Sequence, residues 1–405
     1  MKLQSRIFLL ILFFLSNFYH CQNLVLGNEN FLANEFTTLK NKSLALVVNK
    51  ASVTSNGTFL IDSLLSLKAN IVKIFTFEHG LKLNAEAGEN VENTNYKGVP
   101  VISLYGKKKT PSKNDLRNVD AIVYDIQDVG VRFFTYISSL KLLMKSIAGS
   151  GIPIYVLDRP NPQGDKIEGE ILNDEFRSFV GIENIPVVYG LTIGELALLF
   201  KDRIEKETGK KVLLEVVKMK NYKRNRNYFL DGDLKWLPPS PNLRTHSAAL
   251  LYPGLCFLEA TNISEGRGTK FPFEQFGSPF INADSLLKQL KEEFAKELIF
   301  EKVSFTPKNK GEYYPKLYGK KCYGIKIAVK NKNFNSVLFG IKLLKILKNL
   351  YPDKISFNYN WLAKLYGNRN AEKYLKGKIE ENELISKMLL DRKEFNLIRK
   401  NYYLY

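Results

Sequence analysis

Between residues 44 and about 220 the chain alternates short, β-branched apolar runs with helical patterns, and this rhythm limits the fold more than any other feature. Residues 44–48, 71–75, 101–104, 121–124, 154–157 and 212–217 each read as a buried strand, which a sheet covered on both sides accommodates. Helical patterns lie between them at 60–67, at 139–148 (closed by Gly149 and Gly151), and from a capping box Thr192-x-x-Glu195 to about 207. This alternation predicts an α/β fold with a Rossmann-like, mostly parallel sheet and helices on both faces. After residue 280 the character changes. Helices are expected over 285–298, 337–350 and 384–398, with an alternating strand over 322–329. They fit a smaller α+β domain, and a chain of 405 residues is too long for one typical core. The expected organisation is therefore a catalytic domain over 24–280 and an auxiliary C-terminal domain over 281–405.

The N-terminus carries Lys2 and Arg6, an apolar run over 7–15, and a polar exit through Cys21 and Gln22. That is the form of a secretory signal peptide over 1–21, too short to span a membrane, so an exported protein, periplasmic or secreted, is expected. Phe18, Tyr19 and His20 are too bulky for the site before a lipidated cysteine, which argues against an anchor at Cys21. No later segment is long and apolar enough for stable membrane insertion. The formal net charge is +19, from lysine spread along the chain. Such a charge often marks nucleic-acid binding, but export and the lack of a basic patch with interleaved aromatics argue against that partner. A positive field that attracts an anionic polymer fits better, and compositional drift accounts for the charge equally well. Beyond the signal, Cys256 and Cys322 lie in apolar settings, and one disulfide or two buried thiols both remain open. Neither has a neighbour at metal-ligand spacing, so no metal is expected. The sequence says nothing of oligomeric state.

The strand ends carry the chemistry, because ligands of open α/β sheets bind beyond the carboxyl ends of the strands. Glu78-His79-Gly80, with Glu86 and Glu89, follows the 71–75 strand and gathers carboxylates around one of the two histidines beyond the signal. Asn49 follows the first strand. Asp125, Gln127 and Asp128 follow the 121–124 strand, with Arg132 and Tyr136 behind them, and Asp158, Arg159 and Asn161 follow the 154–157 strand. A turn-locking role suits each alone, such as an Asp158–Arg159 ion pair ahead of Pro160; four polar ends along one sheet edge read as a cleft. Loop 163–170 adds Glu168. Loop 264–269 adds Glu265, and Arg267 between Gly266 and Gly268, a setting suited to bidentate contact with a carboxylate or phosphate. No nucleotide-binding fingerprint and no Gly-x-Ser-x-Gly elbow occur, so neither a nucleotide cofactor nor a hydrolase nucleophile of that type is expected. Carboxylates with one histidine suit acid/base work on a polyhydroxylated substrate, above all glycoside hydrolysis. An exported muropeptide- or sugar-binding protein without turnover is the alternative, and an esterase or deacetylase a weaker third.

In these motifs the chain resembles, over nearly its full mature length, the NamZ-type exo-β-N-acetylmuramidases, formerly a domain of unknown function. The resemblance rests on Glu78-His79-Gly80 with 85–89, on 100–106, and on Asp125-Ile126-Gln127-Asp128 running on to Arg132 and Tyr136. It continues through Asp158-Arg159-Pro160-Asn161-Pro162, Ser240-Pro241-Asn242-Leu243 and Gly266-Arg267-Gly268-Thr269. It implies a Rossmann-like catalytic domain without a nucleotide and a C-terminal domain that helps close the cleft. The implied activity is release of N-acetylmuramic acid from the non-reducing end of peptidoglycan fragments or oligosaccharides. It implies Glu78 as principal catalytic carboxylate, His79 as its orienter or a sugar contact, and Glu168 or Glu265 as the second carboxylate. Arg267 or Arg159 would meet the lactyl carboxylate. Asn49, Asp125, Gln127, Asp128, Arg132, Asp158, Asn161 and Tyr189 complete the expected substrate-binding set. Three positions depart from the family pattern: Phe77 for proline, Leu83 for glycine, and Tyr189 for a frequent histidine. Tyrosine takes up no proton near neutral pH, so a changed substrate preference is expected.

Overall fold

A computed structural model of the chain describes residues 23–86, 88–309, 313–331 and 333–405. The segment expected to be a signal peptide lies outside them.

Six of the seven strands in the larger sheet are those the apolar runs predict. They are β1 (Ser43–Val48), β2 (Asn70–Thr76), β4 (Val99–Ser103), β5 (Ala121–Asp125), β6 (Ile154–Leu157) and β7 (Leu214–Val217). The seventh, β3 (Thr94–Tyr96), is a short antiparallel edge on β4. The order is β3-β4-β2-β1-β5-β6-β7, parallel apart from β3. β1 sits at the centre because alternate residues are apolar on both faces. Ala45 and Val47 pack with α2 (Tyr136–Ile147) and α3 (Ile193–Thr208), while Leu44, Leu46 and Val48 pack with Phe31, Phe36 and α1 (Leu60–Ser66). From β1 the chain builds outward to β2 and β4, then returns across the sheet to β5. Strand order thus reverses between β1 and β5, where such sheets open a crevice.

The second sheet is antiparallel, in the order β8-β10-β9: β8 (Gln275–Ser278), β9 (Leu298–Phe305) and β10 (Cys322–Val329). β8 belongs to it although it precedes residue 280. The expected helix over 285–298 is α5 (Ala283–Phe294), and β9 follows because buried Leu298 and Phe300 alternate with exposed Ile299 and Glu301. An unexpected α4 (His246–Leu255) crosses α6 (Ser336–Leu350) where Gly254 meets Gly340. A methyl group on Gly340 would clash with the Gly254 backbone, and one on Gly254 with the Ser336 carbonyl oxygen. Three helices close the chain: α7 (Tyr359–Tyr366), α8 (Asn370–Leu375) and α9 (Glu381–Arg399). One apolar core runs through both sheets, from Val47 and Ile122 to Ile325 and Leu343. Cys256 and Cys322 are both buried free thiols. Among the described residues no helix is long and apolar enough to cross a membrane.

Candidate active site

Beyond β2 the chain turns sharply, because His79 and Gly80 both take left-handed backbone angles (φ 71° and 70°). A non-glycine residue rarely adopts this conformation, and it is held here by its surroundings. The turn aims Glu78 into a cavity of about 300 Å³ between the two domains. Three elements fix its carboxylate. Tyr105, just beyond β4, donates to Oε1 at 2.8 Å, and the Gly88 amide donates to the same oxygen at 3.0 Å. Thr135, which precedes α2, uses its hydroxyl on Oε2 rather than on a helix amide.

His79 is buried, with Nδ1 2.8 Å from the Ala85 carbonyl oxygen. A carbonyl only accepts, so Nδ1 carries the hydrogen and Nε2 of the neutral ring keeps its lone pair. Burial lowers the imidazole pKa, and the nearby Glu78 charge opposes that shift without cancelling it. Glu86 is buried and accepts from Asn242 Nδ2 at 2.6 Å, tying the loop to the Ser240–Leu243 motif.

The opposite wall comes from 259–273 and from α7. Arg267 donates to Glu259 at 2.7 Å and to Glu265 at 2.9 Å, with its guanidinium 4.7 Å from the centre of the Phe273 ring. Lys316 pairs with Glu265 at 2.9 Å. Burial pushes the Glu265 pKa up, but Lys316 and Arg267 outweigh it and hold the carboxyl down at about 2. Trp361 of α7, Phe179 and Phe134 also line the cavity, an apolar lining suited to a sugar ring.

Of the expected site residues, Glu78, His79 and Arg267 line this cavity together. Glu265 lies beneath Arg267 as its counter-ion, not as a cavity wall. Glu168 is elsewhere: it accepts the Val337 amide at 3.2 Å at the start of α6 and borders a different cavity. Glu259 is the second carboxylate that does face the cavity. Its sequence signal was a lone acid in the apolar run Leu255-Cys256-Phe257-Leu258-Glu259-Ala260.

The rest of the expected substrate-binding set lies outside this cavity and is largely buried, with hydrogen bonds to the backbone and to one another. Asp125 holds Arg159 bidentately at 2.5 and 2.8 Å and accepts from Asn28 at 3.1 Å. Asp158 accepts from Thr192, the Gly194 amide and the Tyr405 hydroxyl at 2.7–2.8 Å. Asn161 bridges the Leu191 carbonyl and the Gln163 amide, and Asn49 fixes its own turn through the Ala51 amide. The fully buried Arg132 donates to the carbonyls of Glu170, Ile185 and Leu365. Tyr189, also fully buried, donates to Asp128. Gln127 spans the Asp128 and Pro160 carbonyls; it and Arg159 border a separate opening of about 430 Å³ at the β1–β5 reversal. Each of these loops follows a buried strand, and its orphaned backbone groups need partners.

Comparison with known proteins agrees with this architecture. The N-terminal profile of the exo-β-N-acetylmuramidase NamZ matches residues 44–247, and the C-terminal profile matches 250–405. The chain is 38% identical over 388 residues to peptidoglycan β-N-acetylmuramidase NamZ of Bacillus subtilis (strain 168), covering 94% of this chain and 91% of that protein. It is also similar to two crystal structures of DUF1343 family proteins from Bacteroides fragilis NCTC 9343. One has a TM-score of 0.83 at 30% identity and the other 0.77 at 31%, each covering 95% of this chain and 99% of the other. A parallel sheet that ends in the Glu78 loop, a second antiparallel domain that closes the cavity, and matches to both halves lead to one conclusion: the chain belongs to the NamZ family of exo-β-N-acetylmuramidases, and is a glycosidase.

Proposed function

We propose that the protein releases N-acetylmuramic acid from the non-reducing end of peptidoglycan fragments, outside the cytoplasm, after residues 1–21 have directed its export. The observation that supports this most is the setting of Glu78: donors from three separate elements hold its carboxylate at the wall of a cavity of about 300 Å³. Such fixed placement is what acid/base or nucleophilic chemistry on a glycosidic bond demands. Glu259, oriented by Arg267, takes the part of second carboxylate in preference to Glu168 and Glu265. The neutral His79 ring offers Nε2 as an acceptor beside the sugar.

The test uses p-nitrophenyl β-N-acetylmuramide beside the matching β-N-acetylglucosaminide. Wild type is expected to turn over the muramide selectively. Glu78→Gln should fold normally and lose at least about 10³-fold in kcat/KM. A folded wild type that cleaves neither sugar but binds muropeptides would replace this reading with the sugar-binding one.

A further inference from the structure

A second opening crosses the domain seam away from Glu78. One part, about 600 Å³, lies between loop 165–168 and α9; another, about 390 Å³, adjoins it. Both are bordered by Asp165, Lys166 and Asn333, so they are neighbours along one groove-like face, and none of their lining residues lines the Glu78 cavity. Lys166, Arg392, Lys393 and Arg399 border the first part, and Lys223, Arg224 and Arg226 the second. Against these seven cations stand three carboxylates, Asp165, Glu168 and Asp231, a local excess of four positive charges.

Some of these cations are committed to the fold. Arg224 pairs with Glu195, Arg226 with Asp231 and Asp233, and Arg399 donates to the Asp165 and Gly190 carbonyls. Lys166 donates to the Phe334 carbonyl at 3.0 Å. Lys223, Arg392 and Lys393 are different: they are exposed and make no side-chain hydrogen bond or ion pair among the described residues. Two of them lie side by side on α9, and the third stands in the adjoining part of the groove.

We infer that this groove is an exosite for an extended anionic glycan, the carboxylate-bearing wall polymer whose terminus enters the Glu78 cavity. The inference rests on the muramidase reading for the identity of that polymer. The exposed cations answer its carboxylates, though Arg392 also lends its charge to the buried Glu168, and Asn225 and Asn396 offer amides to its hydroxyls. No aromatic side chain lines either part, so the stacking platform that single-stranded nucleic acid uses is missing among the described residues.

The test compares full-length wild type with the triple variant Lys223→Glu, Arg392→Glu, Lys393→Glu, and with its all-alanine counterpart as a milder control on folding. Pelleting with purified peptidoglycan sacculi is measured at low and at moderate salt, beside turnover of p-nitrophenyl β-N-acetylmuramide. The expected result is at least about tenfold weaker pelleting of the charge-reversed variant, an intermediate loss with alanine, and unchanged turnover. Salt should weaken wild-type pelleting more than that of either variant. Equal pelleting of all three proteins overturns the exosite. So does displacement from sacculi by single-stranded DNA but not by an acidic polysaccharide. Absence of muramide turnover in wild type would instead count against the muramidase reading, leaving the pelleting comparison to decide the groove on its own.

Discussion

Tyr189 occupies a position where the family resemblance leads one to expect histidine, yet it lies outside the cavity. Its buried hydroxyl donates to Asp128, whose other oxygen has no hydrogen-bond partner among the described residues. Burial pushes Asp128 up to about 6 even though Tyr189 and the Gly130 and Val129 amides pull the other way. A carboxyl whose folded pKa lies above its unfolded value of 3.8 contributes stability that is complete below 3.8 and is lost as pH rises through about 6. Tyr189→Phe removes a donor to the ionised form, so its cost should appear mainly above that window. We expect about 1–3 kcal/mol at pH 8, a smaller deficit at pH 4.5, and muramide turnover within about threefold of wild type. Urea unfolding at the two pH values checks this, and a deficit independent of pH would disconnect Tyr189 from the titration of Asp128. Asp128 also shows why only part of the site was legible. A carboxylate that satisfies a loop and one that faces substrate look alike after a strand, and burial alone separates them. Glu78, which lines the cavity, stood out in the sequence because its loop concentrates acids around a histidine; Glu259, which lines it too, was hidden by its apolar neighbours.

At the level of elements, legibility followed the number of buried faces. The central strands announced themselves because both faces are apolar, and α3 because Thr192 and Glu195 form the capping box: each side chain accepts from the other's amide, at 3.3 and 3.0 Å. α4 is nearly all buried and contains Pro253, so it shows neither an amphipathic stripe nor an uninterrupted helical run. β8 is Gln275-Phe276-Gly277-Ser278, with one large apolar side chain and a glycine, so it shows neither an apolar run nor a clear alternation. The cap of α3 has a second task, since the Thr192 hydroxyl donates to Asp158 at 2.7 Å, at the end of β6. Thr192→Ala therefore loses the helix cap and one donor to a fully buried carboxylate, and should cost about 2 kcal/mol, twice an ordinary cap. Thr192→Ser should recover most of it. A thermal melt in which alanine and serine behave alike would show that neither hydrogen bond matters to the joint between β6 and α3.

Across the whole molecule, the cavity exists only while the two domains keep their relative position, and Arg132 is placed to hold them. Its side chain is fully buried in the first domain, where it donates to the Glu170 and Ile185 carbonyls at 3.0 and 2.6 Å, and it reaches the Leu365 carbonyl of α7 at 3.0 Å. Gly367 curls over the guanidinium with φ 104°, and a methyl group there would come within 2.6 Å of Nη2. Beside it Glu170 accepts from Tyr366, Asn368 and Asn370 at 2.7–2.9 Å. The helix so anchored carries Trp361 into the cavity, so loosening the seam should disturb substrate as well as stability. Arg132→Met strips all three carbonyls of their donor and should cost about 3–5 kcal/mol, while Arg132→Lys, with a point charge in place of a fork, should restore only part. The chain has two tryptophans, Trp236 and Trp361, one in each domain, so substituting either with phenylalanine leaves a reporter for one domain. Because a single apolar core spans both sheets, both reporters should unfold at one urea midpoint in wild type and at one lower midpoint in Arg132→Met. Separate midpoints in the variant would mean that Arg132, rather than the shared core, couples the domains, and a rise in KM for the muramide should then accompany the earlier loss of the Trp361 signal.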